Sequence, residues 1–271
     1  MTTTTPSAAW LALREPADAA ARARELVGEV RQRLAGRSRI TVHDLGCGAG
    51  SMGRWLAPRL PGSQHWVLHD RAADLLDQAI RHPPSGAADG APVTVEARQG
   101  DVTRLGAGQL AGADLITASA LLDVLSGDEL LRLVDSCVRA DCPALLTLSV
   151  IGRVELTPSD VLDTVIDGAF NAHQRRETAR GRLLGPDAVR VAADRFRRRG
   201  MQVLVRSSPW VFGADDGALL IQWFEGWVAA ACEQQPSLAS PTRGYVERRL
   251  NEIAAGRLRV VVHHHDLLAT P

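Results

Sequence analysis

Ile40-Thr41-Val42-His43-Asp44-Leu45-Gly46-Cys47-Gly48-Ala49-Gly50-Ser51-Met52-Gly53-Arg54-Trp55-Leu56 is the stretch whose reading decides the fold. Its first six residues have the composition of a buried strand. Four of the next eight are glycine, and a helical pattern opens at Ser51. A helix starting there leaves its first backbone N–H groups without partners and turns its positive dipole end toward the turn. Glycine at alternate positions lets a ligand approach that backbone closely. Asp44 places a negative charge beside the turn, two residues before the first glycine.

Two nucleotide-binding patterns compete here. Gly48, Gly50 and Gly53 fit the dinucleotide spacing loosely. Asp44 discriminates between them, because it would repel a pyrophosphate and attract an ammonium. Val42-His43-Asp44-Leu45-Gly46-Cys47-Gly48-Ala49-Gly50 resembles the first motif of the class I S-adenosylmethionine-dependent methyltransferases of small-molecule type. The resemblance covers Ile40 to Val150 by motif and the C-terminal hairpin by layout. It implies an α/β fold: a Rossmann-like, seven-stranded mixed sheet with helices on both faces, an antiparallel last strand and helical lid insertions. It also implies S-adenosyl-L-methionine as cofactor, bound around Asp44, Gly46, Cys47, Gly48 and Gly50.

Downstream residues extend that frame. A second strand, His65 to Asp70, ends on an acid roughly 20 residues past the turn, where Rossmann-like folds hold ribose hydroxyls. Capping of the next helix, Arg71 to Arg81, is the other use for Asp70, and Arg71 joins the cofactor set. His69 faces the opposite side of the strand, as packing. After a loop over 82–92, a third strand from Val93 ends in Gly100-Asp101-Val102. The resemblance gives Asp101 the adenine amino group and Val102 the ring. A fourth strand, Ala113 to Ala118, runs into Ser119-Ala120-Leu121-Leu122-Asp123. Ser119 and Leu121 are expected on the floor beside the transferred methyl group, with Leu122 toward the acceptor. Leu122 and Asp123 stand where the family often has histidines, so no histidine role carries over; Asp123 has the alternative of a cap. The Asp/Asn-Pro-Pro-Tyr/Phe motif of base and amide methylation is absent from this place.

The flanking segments predict a cover and lids within one domain, 1–271. Apolar spacing from Ala8 to Leu34, interrupted at Pro16 and closed at Gly36, predicts two helices, so that 1–36 forms an N-terminal helical cover on the core 40–150. A fifth strand is expected over Ala144–Val150. Segments 152–185 and 208–256 read as lids carrying substrate contacts. The first holds Thr157-Pro158-Ser159-Asp160 as a helix start, an apolar stripe through Val161, Val165, Ile166 and Phe170, and then Asn171, His173, Gln174 and Arg175. His173 is the base candidate, since its ordinary pKa lies near neutrality; a histidine that only ties the lid together is the alternative. Asn171, Gln174, Arg175 and Trp210 are substrate candidates. Arg175, Arg176, Arg180 and Arg182 suit an anionic group or a solvated face. Trp223 and Trp227, four apart on a helix, suit a roof over the acceptor or a core. A last strand, Leu258 to His264, is expected antiparallel to the sixth, Met201 to Ser207.

Composition bounds the rest. The 271 residues carry no net charge, and all 31 basic residues are arginine, so no global field draws nucleic acid and no lysine can form a Schiff base. Four cysteines without a CxxC pair and no signal-peptide pattern point to a soluble, cytoplasmic protein without membrane association. His263-His264-His265 offers at most two ligands on one strand face, too few for a metal site. The expected function is methyl transfer to N, O or C of a small-molecule acceptor by a monomer or homodimer. The alternative is a methyltransferase-like module that holds S-adenosylmethionine or another nucleoside without catalysis.

Overall fold

The computed structural model describes residues 6–271. Five strands, β1 (Arg39–Leu45), β2 (Ser63–Asp70), β3 (Val93–Gln99), β4 (Leu115–Ser119) and β5 (Ala144–Thr157), run parallel. A two-strand ribbon, β6 (Glu177–Thr178) and β7 (Gly181–Arg182), lies apart from them. β8 (Gln202–Ser207), β9 (Trp210–Phe212) and β10 (Arg259–Thr270) complete the main sheet, with order β3-β2-β1-β4-β5-β10-β8 and β9 also paired to β10. β10 runs antiparallel to β5, β8 and β9. The mixed α/β sheet with a reversed last strand is therefore as expected. The eighth strand, β9, was not foreseen. β10 continues six residues beyond His264, so that its first half pairs with β9 and its second half with β8. Asp266 disguised that continuation by interrupting an apolar run.

Strand order reverses between β1 and β4. Open α/β sheets form their ligand crevice at the carboxyl ends of the strands beside such a reversal. Helices α1 (Ala8–Ala21), α2 (Arg24–Arg33), α3 (Ser51–Leu56), α4 (Ala73–Arg81), α5 (Gly127–Ala140), α6 (Asp163–Gln174), α7 (Ala188–Arg198), α8 (Gly217–Gln234) and α9 (Thr242–Ala254) surround the sheet. Pro16 lies inside α1, and the break between the first two helices comes at Arg22–Ala23 instead. One core packs α5 and α7 on the sheet through Ile116, Leu130, Val134, Leu146 and Phe196. A second packs α2 and α3 on the opposite face through Leu26, Val30, Val42, Trp55 and Trp66.

A third core explains the lids. Ile166, Phe212, Trp223, Phe224, Trp227 and Tyr245 form it, joining α6, α8 and α9 to β9 and the outer halves of β5 and β10. β5 extends seven residues past Val150, so residues 152–157 belong to the sheet and the helical insertion starts after them. Val161 and Val165 stand 88% and 43% exposed, outside the stripe assigned to them, because α6 begins only at Asp163 and packs through Ile166 and Ala169. At Gly152 (φ +74°) a Cβ would come within 2.9 Å of Asn171 and Pro186, so only glycine allows the insertion to pack against the bulged strand.

Asp266 ties these units together. Its buried carboxylate accepts the backbone N–H of Ala23 (2.8 Å) and of Leu148 (2.7 Å) and the Ser208 hydroxyl (2.6 Å). Those donors lie at the start of α2, at a bulge in β5 and after β8. Asp266→Ala leaves all three without a partner and is expected to cost about 3–5 kcal/mol. Urea denaturation of the variant beside the parent protein measures it.

Candidate active site

A cavity of about 440 Å³ opens at the carboxyl ends of β1 to β4, under α1 and the β9–β10 pair. The glycine turn forms one wall. Gly48 (φ +52°) faces Leu11 of α1, which a Cβ would meet at 3.1 Å, and Gly46, Cys47, Gly48 and Ala49 line the cavity. The Gly48 N–H donates to Asp70 Oδ2 (2.8 Å), while Asp70 Oδ1 accepts from Ala72 N–H (3.0 Å). Asp70 does not cap α4, whose N-cap is Ala72 without a side-chain bond; it closes the turn before that helix and lines the cavity. Its unused lone pairs remain open to further donors.

Asp44 is the most unusual group. It is buried, its Oδ1 accepts the Thr117 hydroxyl at 2.7 Å, and its Oδ2 has no hydrogen-bond partner among the described residues. Burial pushes its pKa up to about 6, against the opposing pull of the Thr117 hydroxyl and Arg22. A buried carboxylate oxygen without a donor is costly by itself and suits a cationic N–H group entering the cavity. Arg22 supports the floor from behind, donating to Ser51 Oγ (3.2 Å) and Ser119 Oγ (3.1 Å). At Asp101, burial works against the charge, but the Thr103 hydroxyl and N–H hold the carboxyl below its ordinary value.

The cavity thus brings together Asp44, Gly46, Cys47, Gly48, Asp70, Arg71, Asp101, Val102, Ser119 and Trp210 of the residues named from sequence. The Cys47 thiol is pushed far up by burial and is no nucleophile. Gly50 lies behind the turn, packed on Ala79 and Arg54. Leu122 is buried in the α5/α7 core, and its neighbour Leu121 takes the cavity position.

The lid candidates need correction. His173 pairs with Glu233 of α8 (3.5 Å), Arg175 with Asp187 (2.7 Å), and Asn171 donates to the Gly152 carbonyl (3.0 Å). Gln174 packs against Gly185. None of these four lines the cavity. Their polar stripe faces α8 and the segment before α7, whereas α6 presents Phe170 to the cavity. Arg180 does reach the cavity, ion-paired to Glu129 at 3.0 Å. His43 and His69 stack with centroids 5.1 Å apart, and burial lowers both to about 4, consistent with packing. His263 meets Glu155 at 3.0 Å, and among the described residues no group of metal-ligating side chains forms.

The sequence predicts that the N-terminal helices cover one edge of the ligand site but singles out none of their side chains. Trp10, Leu11, Arg14, Glu15 and Asp18 line the cavity, a helical stripe readable from its spacing. Arg14 pairs with Asp18 (3.0 Å) and lies over the Trp210 ring, whose Nε1 donates to Asp18 at 3.0 Å. Asp123 also lines the cavity, and burial raises its carboxyl above the ordinary value.

Residues 42–143 match the family model described as a methyltransferase domain. The matched segment runs from within β1, through the glycine turn, to the residue before β5. Among solved structures the chain is similar to the YcgJ protein of Bacillus subtilis, with 13% identity, 91% of this chain and 97% of that one covered, and a TM-score of 0.48. It is also similar to a putative sarcosine dimethylglycine methyltransferase of Galdieria sulphuraria (15%, 91% and 83%, 0.46). A third is the magnesium protoporphyrin IX methyltransferase of Synechocystis (17%, 69% and 76%, 0.42). Comparison with curated proteins gave no match. Among the described residues no helix is long and apolar enough to cross a membrane.

Asp44 yields a pH test. Its pKa is raised in the folded chain, to about 6 from 3.8, so its protonated form stabilises the fold at low pH and that contribution is lost as pH rises through 6. Relative to Asp44→Asn, the parent protein should be about 1 kcal/mol more stable at pH 5 than at pH 7. Chemical denaturation of both proteins at the two pH values checks the sign.

Proposed function

We propose that the protein is an S-adenosylmethionine-dependent methyltransferase acting on a small-molecule acceptor. The observation that carries this is the buried, donorless Oδ2 of Asp44 beside the glycine turn, with Asp70 and Asp101 lining the same cavity. The three carboxylates fit three separate parts of the cofactor. Asp44 takes the methionine ammonium, Asp70 the ribose hydroxyls through its free lone pairs, and Asp101 the adenine amino group beside Val102. When bound, the cofactor supplies a methyl group on a positively charged sulfur, open to in-line attack.

The chain's own work is orientation, exclusion of water and handling of one proton. Ser119 and Leu121, fixed by Arg22 and the end of β4, form the floor. Trp10, Phe170 and Trp210 close the cavity on its acceptor side. Holding acceptor and methyl group in line is worth roughly 7–11 kcal/mol. Asp123 replaces His173 as base: it lies in the cavity on the segment that follows Ser119, and its raised pKa brings its proton affinity closer to a hydroxyl's needs. A proton-accepting group in that place favours catalysis over simple retention of the nucleoside.

Calorimetric titration with S-adenosylmethionine and S-adenosylhomocysteine, with NAD as control, tests the reading. Micromolar binding of both sulfur nucleosides and none of NAD is expected, and Asp70→Ala should weaken it at least tenfold. Absence of binding to either nucleoside overturns the proposal. For a hydroxyl acceptor, Asp123→Asn should lower kcat by about 10²–10⁴-fold. In the parent protein kcat should rise with pH through the raised Asp123 titration, and that limb should vanish in the variant. Formation of S-adenosylhomocysteine measures both.

A further inference from the structure

Beyond the carboxylate wall, the cavity changes character. Its far end is built from Trp10, Phe170, Trp210 and Trp223 together with Val150, Val154 and Val262. The charges around this end already have partners. Arg14 is held by Asp18, Glu15 by Arg54 (2.6 Å) and Arg180 by Glu129. Asp123, whose carboxyl burial raises, is committed to the acceptor's proton in the mechanism above. An ionised acceptor entering here would lose its hydration without gaining a free counter-charge.

One polar group in this apolar chamber keeps a nitrogen without a partner, although the Val262 backbone also engages its ring. His264 of β10 lines the cavity with 3% of its surface exposed, its ring 5.0 Å from that of Trp210. Its Nδ1 is buried and has no hydrogen-bond partner among the described residues. Neighbouring His263 and His265 do not share this position: His263 is bonded to Glu155, and neither lines the cavity. A buried imidazole nitrogen without a partner costs stability, and its place on a ring that lines the cavity points to a ligand that completes it.

We propose that His264 is a recognition residue for the acceptor, which is an uncharged molecule bearing an aromatic ring and a hydroxyl group. The aromatic side chains of Trp10, Phe170, Trp210 and Trp223 around this end give such a ring apolar surface to pack against. Burial pushes His264 down to about 3, so the imidazole is neutral, with one N–H and one bare nitrogen. A hydroxyl both donates and accepts, and therefore satisfies either tautomer. A carboxylate cannot donate, and an ammonium cannot accept. The proposal rests on the methyltransferase reading for the word acceptor, but the recognition chemistry is testable without turnover.

The test is equilibrium dialysis of the protein saturated with S-adenosylhomocysteine against four probes of one shape: 2-naphthol, 2-methylnaphthalene, 2-naphthoate and 2-naphthylmethylammonium. 2-Naphthol should bind tightest, with each ion at least tenfold weaker. His264→Phe should weaken 2-naphthol roughly tenfold and leave 2-methylnaphthalene within about twofold, while His264→Asn keeps most of the 2-naphthol affinity. Tighter binding of either ion, no binding of 2-naphthol, or equal loss of naphthol and methylnaphthalene in the phenylalanine variant overturns the proposal. The order among the four probes on the parent protein decides the matter even where a variant fails to fold. Failure to bind S-adenosylhomocysteine, with probe selectivity intact, instead counts against the methyltransferase reading alone.

Discussion

The carboxylate of Asp266 is the constraint on which the site depends. Buried in the central reversed strand, it takes hydrogen bonds from the start of α2, from the β5 bulge at Leu148 and from Ser208. Leu148 adopts a left-handed backbone (φ +57°), a conformation an L residue holds only when its surroundings impose it. Burial raises the Asp266 pKa, and its three donors together with Arg22 oppose that cost. The result is a single anchor that holds the N-terminal cover, the bulged strand and the β8–β9 corner around one cavity.

The cavity divides by chemistry along the sheet. Where β1, β2 and β3 end, carboxylates and the glycine turn line the cavity, and the donorless Asp44 oxygen suits a cation. Toward β5, β9 and β10 the walls become aromatic and aliphatic, with charges cancelled in pairs. Methyl transfer needs this division. A charged cofactor must be gripped at one end, while the acceptor must be stripped of water at the other. Asp123 stands on the segment leaving β4 and lines the same cavity, and the proposed mechanism gives it the acceptor's proton.

Legibility in the sequence followed the range of the interactions. The turn after β1, Asp70 and the Asp101-Val102 pair were readable because each lies at a strand end and carries its chemistry within a few residues. The His173 group was misplaced because proximity in sequence to β5 suggested proximity to the cavity. α6 turns that polar stripe toward α8, and Glu233 and Asp187, far along the chain, take His173 and Arg175. His264 was hidden inside a histidine triplet whose members look alike until the strand's two faces are known. Leu121 and Leu122 differ in the same way, one facing the cavity and the other the core.

By itself the sequence determined the α/β class, the glycine turn, the acids around it and the reversed strand near the end. These follow from local hydrophobic period, turn chemistry and spacing, which are properties of short stretches. Only the tertiary structure decided which side chains share the acceptor end: α1 at Trp10–Asp18, Phe170, Trp210, Asp123 and His264 come from five separate segments. Their meeting depends on β10 inserting between β5 and β8 and on the Trp-rich third core that seats α6 and α8. Packing between distant segments leaves no mark in any single stretch of chain, and that is why the cofactor end was readable and the acceptor end was not.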